Sequence, residues 1–191
     1  WLRELVSTAR RRRAASVASR ILDWEGEAID FVGGSVNFEG KGFQIDYGAR
    51  RETLPLEEKR LLFACGASAL IDRTVFFQIG GWDDDAFAYY EDVELGWRLN
   101  LLGYEVWLSP RALVYHKHHG TSGRWAEAPR QRLYERNSLR MLYSLLDTPS
   151  LARALPAALL LAADRALLST ELSRASEPMA EFVCSDVMTR C

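Results

Sequence analysis

Cysteine is scarce in this chain, and so are histidine and long apolar runs. Three cysteines in 191 residues are an odd number and make no disulfide framework at this size. Cys65 sits in the apolar string FACGASALI and reads as a small buried residue. Cys184 and Cys191 lie in a tail without periodicity, so a reducing cytoplasm is the expected compartment. The longest uncharged apolar run, 154–163, has ten residues, well short of the roughly 20 that span a bilayer. It suits a core helix, a dimer face or a membrane-surface helix, with a core or partner contact preferred. A net charge of −2 gives no global attraction to nucleic acid or to an anionic membrane. The opening WLREL begins in mid-helix pattern without methionine and is neither a signal nor a transit peptide. The expectation is a chain cut out of something longer. No internal repeat is visible.

What is present is ordinary for a globular protein: 48% hydrophobic and 26% charged residues, enough for one domain or part of a larger one. The run from Arg10 to Arg13 could bind phosphate, although a solvated helix end suits the same cations. Periodicity predicts a helix over 1–13, a strand over 17–24, an extended run over 29–38 and a surface loop over 40–58. A continuous buried strand is expected over 61–71 and a short helix over 73–81, followed by a loop over 82–90. A helix over 91–102 stops at Gly103, with Glu94 and Arg98 spaced to pair. Two strands, 104–109 and 112–116, are expected around a turn at Pro110. From residue 126 onward the pattern is helical, interrupted at Asp147-Thr148-Pro149. Alternating strands and helices predict an α/β layer structure.

The segment 63–119 carries the chemistry. Asp92 falls in the first turn of a helix, where backbone N–H groups and the helix dipole favour an ionised carboxylate. Such a group at a cleft is a competent general base, but acidic residues at helix starts also serve as caps. Histidines 116, 118 and 119 follow at a strand end and suit a divalent transition metal. The pattern fails the HxHxDH metallohydrolase motif, because His119 stands where an acidic residue is needed. Gly34 to Lys41 is not a phosphate loop, since its spacing is one too long and Gly42 replaces the required Ser or Thr.

The string GGWDDDAFAYYEDVELGWRLNLLGY and the histidine strand after it resemble family 2 glycosyltransferases, inverting enzymes of the GT-A fold and rhamnosyltransferase-like in kind. The resemblance covers roughly residues 1–146. It implies a partial GT-A sheet with flanking helices over 1–125, a C-terminal helical extension over 126–175 and a tail over 176–191. It implies Asp92 as catalytic base, with Glu91 shaping the acceptor site and Trp82, Asp83 and Asp84 lining the acceptor loop; Trp82 suits a core role equally well. It puts Gly66, Ala67 and Ser68 at the donor sugar, Arg124 and Trp125 beyond the histidine strand, and His116 in the metal shell. Arg136 could meet a diphosphate or serve as a helix-surface residue.

A complete member of that family carries a DxD motif ahead of the region seen here, which holds Mg²⁺ or Mn²⁺ on the donor diphosphate. Asp83-Asp84-Asp85 contains such a string but lies in the acceptor loop. Most of the donor site, and with it most of the divalent-cation site, is therefore expected outside this chain. The implied partners are a nucleotide-sugar donor and a saccharide or lipid-linked acceptor, without nucleic acid, at the inner face of the cell membrane. Peripheral membrane contact and homo-oligomerisation are left open. The rival expectation is a non-catalytic carbohydrate-binding or interaction module using the same acidic, aromatic loop.

Overall fold

The computed structural model describes residues 1–117 and 127–174. A mixed sheet is built around β1 (Ser16–Leu22), every residue of which is buried. One edge of β1 pairs in parallel with β7 (Val106–Tyr115), which pairs antiparallel with β5 (Arg60–Leu61). The other edge takes two short antiparallel partners, β2 (Ile29–Phe31) and β6 (Ala69–Ile71). A separate hairpin joins β3 (Gly34–Val36) to β4 (Gly42–Gln44).

Helix α1 (Leu2–Arg12) lies on one face, sealing Leu5 against Val17 and Ala112. Its buried Thr8 hydroxyl donates to Ser109 Oγ at 3.0 Å. Arg11 and Arg12 pair with Glu58, so half of the arginine run serves as a structural tie. The main core lies on the opposite side, where Ile21, Phe31, Phe63, Val93, Leu99 and Val106 meet. Helix α2 (Arg73–Gln78) follows β6, and helix α3 (Glu91–Leu101) enters that core through Gly96. A Cβ there would come within 2.7 Å of the Leu62 carbonyl and closer still to Phe63 Cα, so only glycine allows this approach. Asn100 adds a hydrogen bond from Nδ2 to the Leu62 carbonyl at 2.9 Å.

Three expectations are corrected. The 61–71 stretch is not one strand: β5 and β6 flank a turn in which Ser68 N–H donates to the Cys65 carbonyl at 3.1 Å. Gly66 and Ala67 are exposed at its tip, and Cys65 is half-buried. The two strands around Pro110 are one, β7. Ser19 pairs with Ser109 and Arg20 with Leu113, so the residues between bulge out and Pro110 needs no ladder donor. The 154–163 run belongs to α5 (Thr148–Arg174), which packs on α4 (Glu127–Leu145). Ala158 is buried and Ala154, Leu155 and Ala162 are half-buried, but Leu159, Leu160 and Leu161 are exposed, so only one face of the run is core. Among the described residues no helix is long and apolar enough to cross a membrane.

Candidate functional site

Two loops meet at the start of α3. The first is the 65–68 turn. Ser68 anchors it to β1, with its carbonyl accepting from Ser19 N–H at 3.1 Å and the two hydroxyls 2.7 Å apart. The turn's exposed tip turns its Gly66 N–H to Asp92 Oδ2, at 2.8 Å. Asp92 Oδ1 accepts from Val93 N–H at 2.9 Å. Asp92 is not the N-cap residue of α3; that position is Tyr90, which makes no side-chain cap bond. The carboxylate instead ties the helix start to the turn. Burial pushes the Asp92 carboxyl above the ordinary carboxylate range, against the backbone donors that lower it. Glu91 is raised as well, first by burial and then by the Asp92 charge beside it. Its Oε2 is buried with no hydrogen-bond partner among the described residues. The half-buried Cys65 thiol nearby is pushed up to about 12, mainly by burial and then by Asp92; it is no nucleophile at neutral pH.

The second loop, residues 79–90, is held by donors from two helices. Arg98 of α3 donates to the carbonyls of Ile79 (2.5 Å) and Gly81 (2.7 Å) while pairing with Glu94 at 2.8 Å. Arg136 of α4 donates to the carbonyls of Asp85 (2.7 Å) and Ala86 (2.8 Å). Buried Asn137 directs its amide at the carbonyls of Ala86 (3.0 Å), Ala88 (2.8 Å) and Tyr89 (2.7 Å). Arg140 forks onto Asp83 at 3.0 and 2.8 Å and reaches Asp85 at 3.2 Å. Burial alone would raise the Asp83 carboxyl, but the Arg140 contact leaves it below its usual range. Within the loop Phe87, Tyr89 and Tyr90 have φ of 62°, 67° and 66°, a left-handed conformation that costs about 1 kcal/mol or more per residue without glycine. Tyr89 and Tyr90 pack on Tyr134 of α4, with centroids 4.3 and 5.3 Å away.

The outer side of the 66–69 turn lines a cleft of about 860 Å³. Its other walls are Trp1, Trp24 and residues 113–115 of β7; both tryptophans and Tyr115 are exposed. Gly66, Ala67 and Ser68 thus face the cleft, and Asp92 meets the same turn through the Gly66 amide without lining that cleft. Trp82 packs edge-on against Phe76 at 5.5 Å and remains 41% exposed, so it is shared between core and surface. Asp84 is exposed. Arg124 and Trp125, like His118 and His119, lie outside the described residues.

His116 follows β7, its N–H donating to the Leu22 carbonyl at 2.9 Å. Its Nδ1 lies 2.6 Å from Oδ2 of the buried Asp30. The buried Asp30 carboxylate thus fixes the orientation of the His116 ring, as a carboxylate, carbonyl or water does for a metal-bound histidine. Among the described residues no group of three or more His, Cys, Asp or Glu side chains is arranged to hold a metal ion.

Asn137, Arg140 and Arg98 are the residues that sequence reasoning missed as organisers of the loop. The available signal was a poor helix former, Asn137, inside a long helical pattern between two arginines.

No family model matches the chain. Over 73 residues it is 37% identical to an N-acetylglucosaminyl-diphospho-decaprenol L-rhamnosyltransferase of Mycobacterium tuberculosis, a match covering 38% of this chain and 24% of the relative. Over 133 residues it is 32% identical to the O-antigen biosynthesis protein RfbC of Myxococcus xanthus, covering 67% of this chain and 10% of that one. The chain thus spans about a quarter or less of the curated relatives it matches. Among solved structures, GalNAc-T7 with UDP, GalNAc and Mn2+ aligns at a TM-score of 0.46 and 17% identity, over 62% of this chain and 25% of that one.

Proposed function

We propose that this chain is the acceptor-side part of an inverting, family 2-like glycosyltransferase with a partial GT-A sheet, and that Asp92 is its general base. The observation that carries the reading is the Gly66 N–H bond to Asp92, which ties a carboxylate of raised pKa to the turn lining the cleft. The names of the two curated relatives support sugar transfer.

Asp92 Oδ2 accepts from Gly66 and Oδ1 from Val93, and a carboxylate oxygen can accept two hydrogen bonds. Lone pairs therefore remain on the carboxylate for an acceptor hydroxyl beside the two backbone donors. Raising its pKa by burial makes it a stronger base near neutrality. In the proposed step the hydroxyl proton passes to Asp92 as the oxygen bonds to the anomeric carbon. The bond from that carbon to the donor diphosphate breaks, its electron pair leaving with the phosphate oxygen. A single displacement of this kind inverts the centre through an oxocarbenium-like state. Glu91 and the loop carrying Trp82, Asp83 and Asp84 shape the acceptor side. Gly66, Ala67 and Ser68 would face the donor sugar; Arg124 and Trp125, which lie outside the described residues, remain candidate substrate-binding residues on the resemblance alone. His116 is the ligand this chain would contribute to Mg²⁺ or Mn²⁺, which when bound supplies positive charge to the departing diphosphate.

The donor would be a nucleotide sugar and the acceptor a saccharide or lipid-linked glycan, at the inner face of the cell membrane. The test is Asp92→Asn in the longer protein, with transfer followed by product formation. A loss of about a hundredfold or more is expected for a general base; full activity would remove Asp92 from the role. A carbohydrate-binding module without catalysis is the second reading, favoured by the exposed aromatics around the cleft. Thermal melts of the longer protein with UDP, dTDP and GDP, each with and without Mn²⁺, and with saccharides alone, separate the two. A metal-dependent rise with one nucleotide supports transfer, whereas sugar binding indifferent to both supports the module.

A further inference from the structure

Helix α5 presents two faces. Leu151, Ala154, Leu155, Ala158, Ala162 and Arg165 are buried or half-buried against the rest of the fold. Arg165 locks that face down through Glu39 at 2.8 Å and Glu135 at 2.7 Å. The opposite face is unpartnered among the described residues. Leu160 is 73% and Leu167 65% exposed, and Arg153, Ala157, Ala163 and Asp164 are exposed with them. At 3.6 residues per turn these positions form one stripe, containing two charges of opposite sign. Arg153 and Asp164 are eleven residues apart, about three full turns, and so project in nearly the same direction.

We propose that this stripe is a self-docking surface, on which α5 of a second copy packs antiparallel about a two-fold axis. An isologous contact pairs residue i with residue j and j with i. With the axis between Ala158 and Leu159, Arg153 of each copy meets Asp164 of the other at both ends. Leu160 of each copy then meets Ala157 of the other, so large side chains face small ones. The charge complementarity favours a second copy over a membrane surface. An interfacial helix carries Lys and Arg along its polar face, whereas here the single exposed arginine of the stripe is balanced by an aspartate and the net charge is −2. This inference is independent of the glycosyl-transfer reading.

The test is sedimentation equilibrium of the purified chain over a concentration series, alone and with vesicles of phosphatidylcholine and phosphatidylglycerol. A reversible dimer is expected. Arg153→Glu and Asp164→Arg should each weaken it about tenfold, because each turns two attractive pairs repulsive. The double variant should restore it, since the glutamate introduced in one copy then meets the arginine introduced in the other; no contact within one helix can produce that rescue across three turns. Leu160→Glu should abolish the dimer while helix content by circular dichroism stays unchanged. A chain monomeric at every concentration, a dimer indifferent to Leu160→Glu, or single reversals not rescued by the double variant would each overturn the proposal. So would vesicle binding by a chain that is monomeric in buffer.

Discussion

Replacing Asn137 should unlock the 79–90 loop, and the size of the effect follows from what its amide holds. Two N–H hydrogens serve three carbonyls, those of Ala86, Ala88 and Tyr89, and the residue is only 5% exposed. Net hydrogen bonds contribute about 1 kcal/mol each, and a buried acceptor left bare costs about 1–3 kcal/mol. Ala88 and Tyr89 are half-buried, so water can take up part of that loss. Relief of left-handed strain at Phe87, Tyr89 and Tyr90 offsets some more. Asn137→Ala should therefore cost about 2 kcal/mol. Asn137→Asp has the same shape but puts a carboxylate oxygen against carbonyl oxygens, and at neutral pH it should cost more than alanine, about 3 kcal/mol or above. The assay is urea unfolding followed by tryptophan fluorescence, with hydrogen exchange of the Ala86 and Ala88 amides, which are bonded inside the loop at 2.9 and 2.8 Å. Tyr90 adjoins Glu91 and Asp92, so exchange at Gly66 N–H should rise as well. Losses below about 0.5 kcal/mol, or an aspartate variant more stable than the alanine one, would refute this reasoning.

Burial holds Asp92 and Glu91 above the usual carboxylate range, so the native state binds their protons more tightly than the unfolded chain. Their contribution is present below the unfolded pKa, about 4, and is lost as pH rises through the raised values. Asp92→Asn should flatten this decline in urea midpoints measured from about pH 4 to 8; an unchanged slope would contradict it. Glu135 behaves oppositely: burial would raise it, but Arg165 and Lys41 at 2.7 Å hold it low. Its share is present above the ordinary range and is lost as pH falls through the lowered value. Glu135→Gln should cost about 1–2 kcal/mol after allowance for partial exposure, and trypsin should then cut α5 faster than the remaining chain. Arg13 closes α1 with φ 52°; Arg13→Gly should stabilise by about 0.5 kcal/mol, read as a higher urea midpoint.

The helices were legible because their signals are local. The stripe of α3 ends at Gly103, and the Glu94–Arg98 pair forms as its spacing predicts. The sheet was less legible. β5 and β6 have two and three residues, and the apolar character of 61–71 reflects burial of Phe63 and Ala64 off the ladder. Pro110 looked like a strand break because the bulge that accommodates it depends on the register against β1. The exposed leucines of α5 could not be told from core leucines, since composition is the same in both places. At the site, the approach of Gly66 to Asp92 joins positions 26 residues apart. The clamp on the loop joins positions about 50 apart, beyond any local pattern.

The two sides of the site are built on different principles. On the α3 side, a loop with three left-handed non-glycine residues survives because Arg98, Arg136, Asn137 and Arg140 together supply its carbonyls and carboxylates with donors. Strain of this kind persists only where the surroundings over-determine it, and the consequence is a fixed position for the α3 start. On the cleft side, the exposed tip of the 65–68 turn is held by Ser19 behind it and by Asp92 beside it. Asp92 is the point where the two constructions touch. A change in the 65–68 turn reaches the carboxylate through the Gly66 hydrogen bond, whereas a change in the 79–90 loop reaches it along the backbone, from Tyr90 through Glu91.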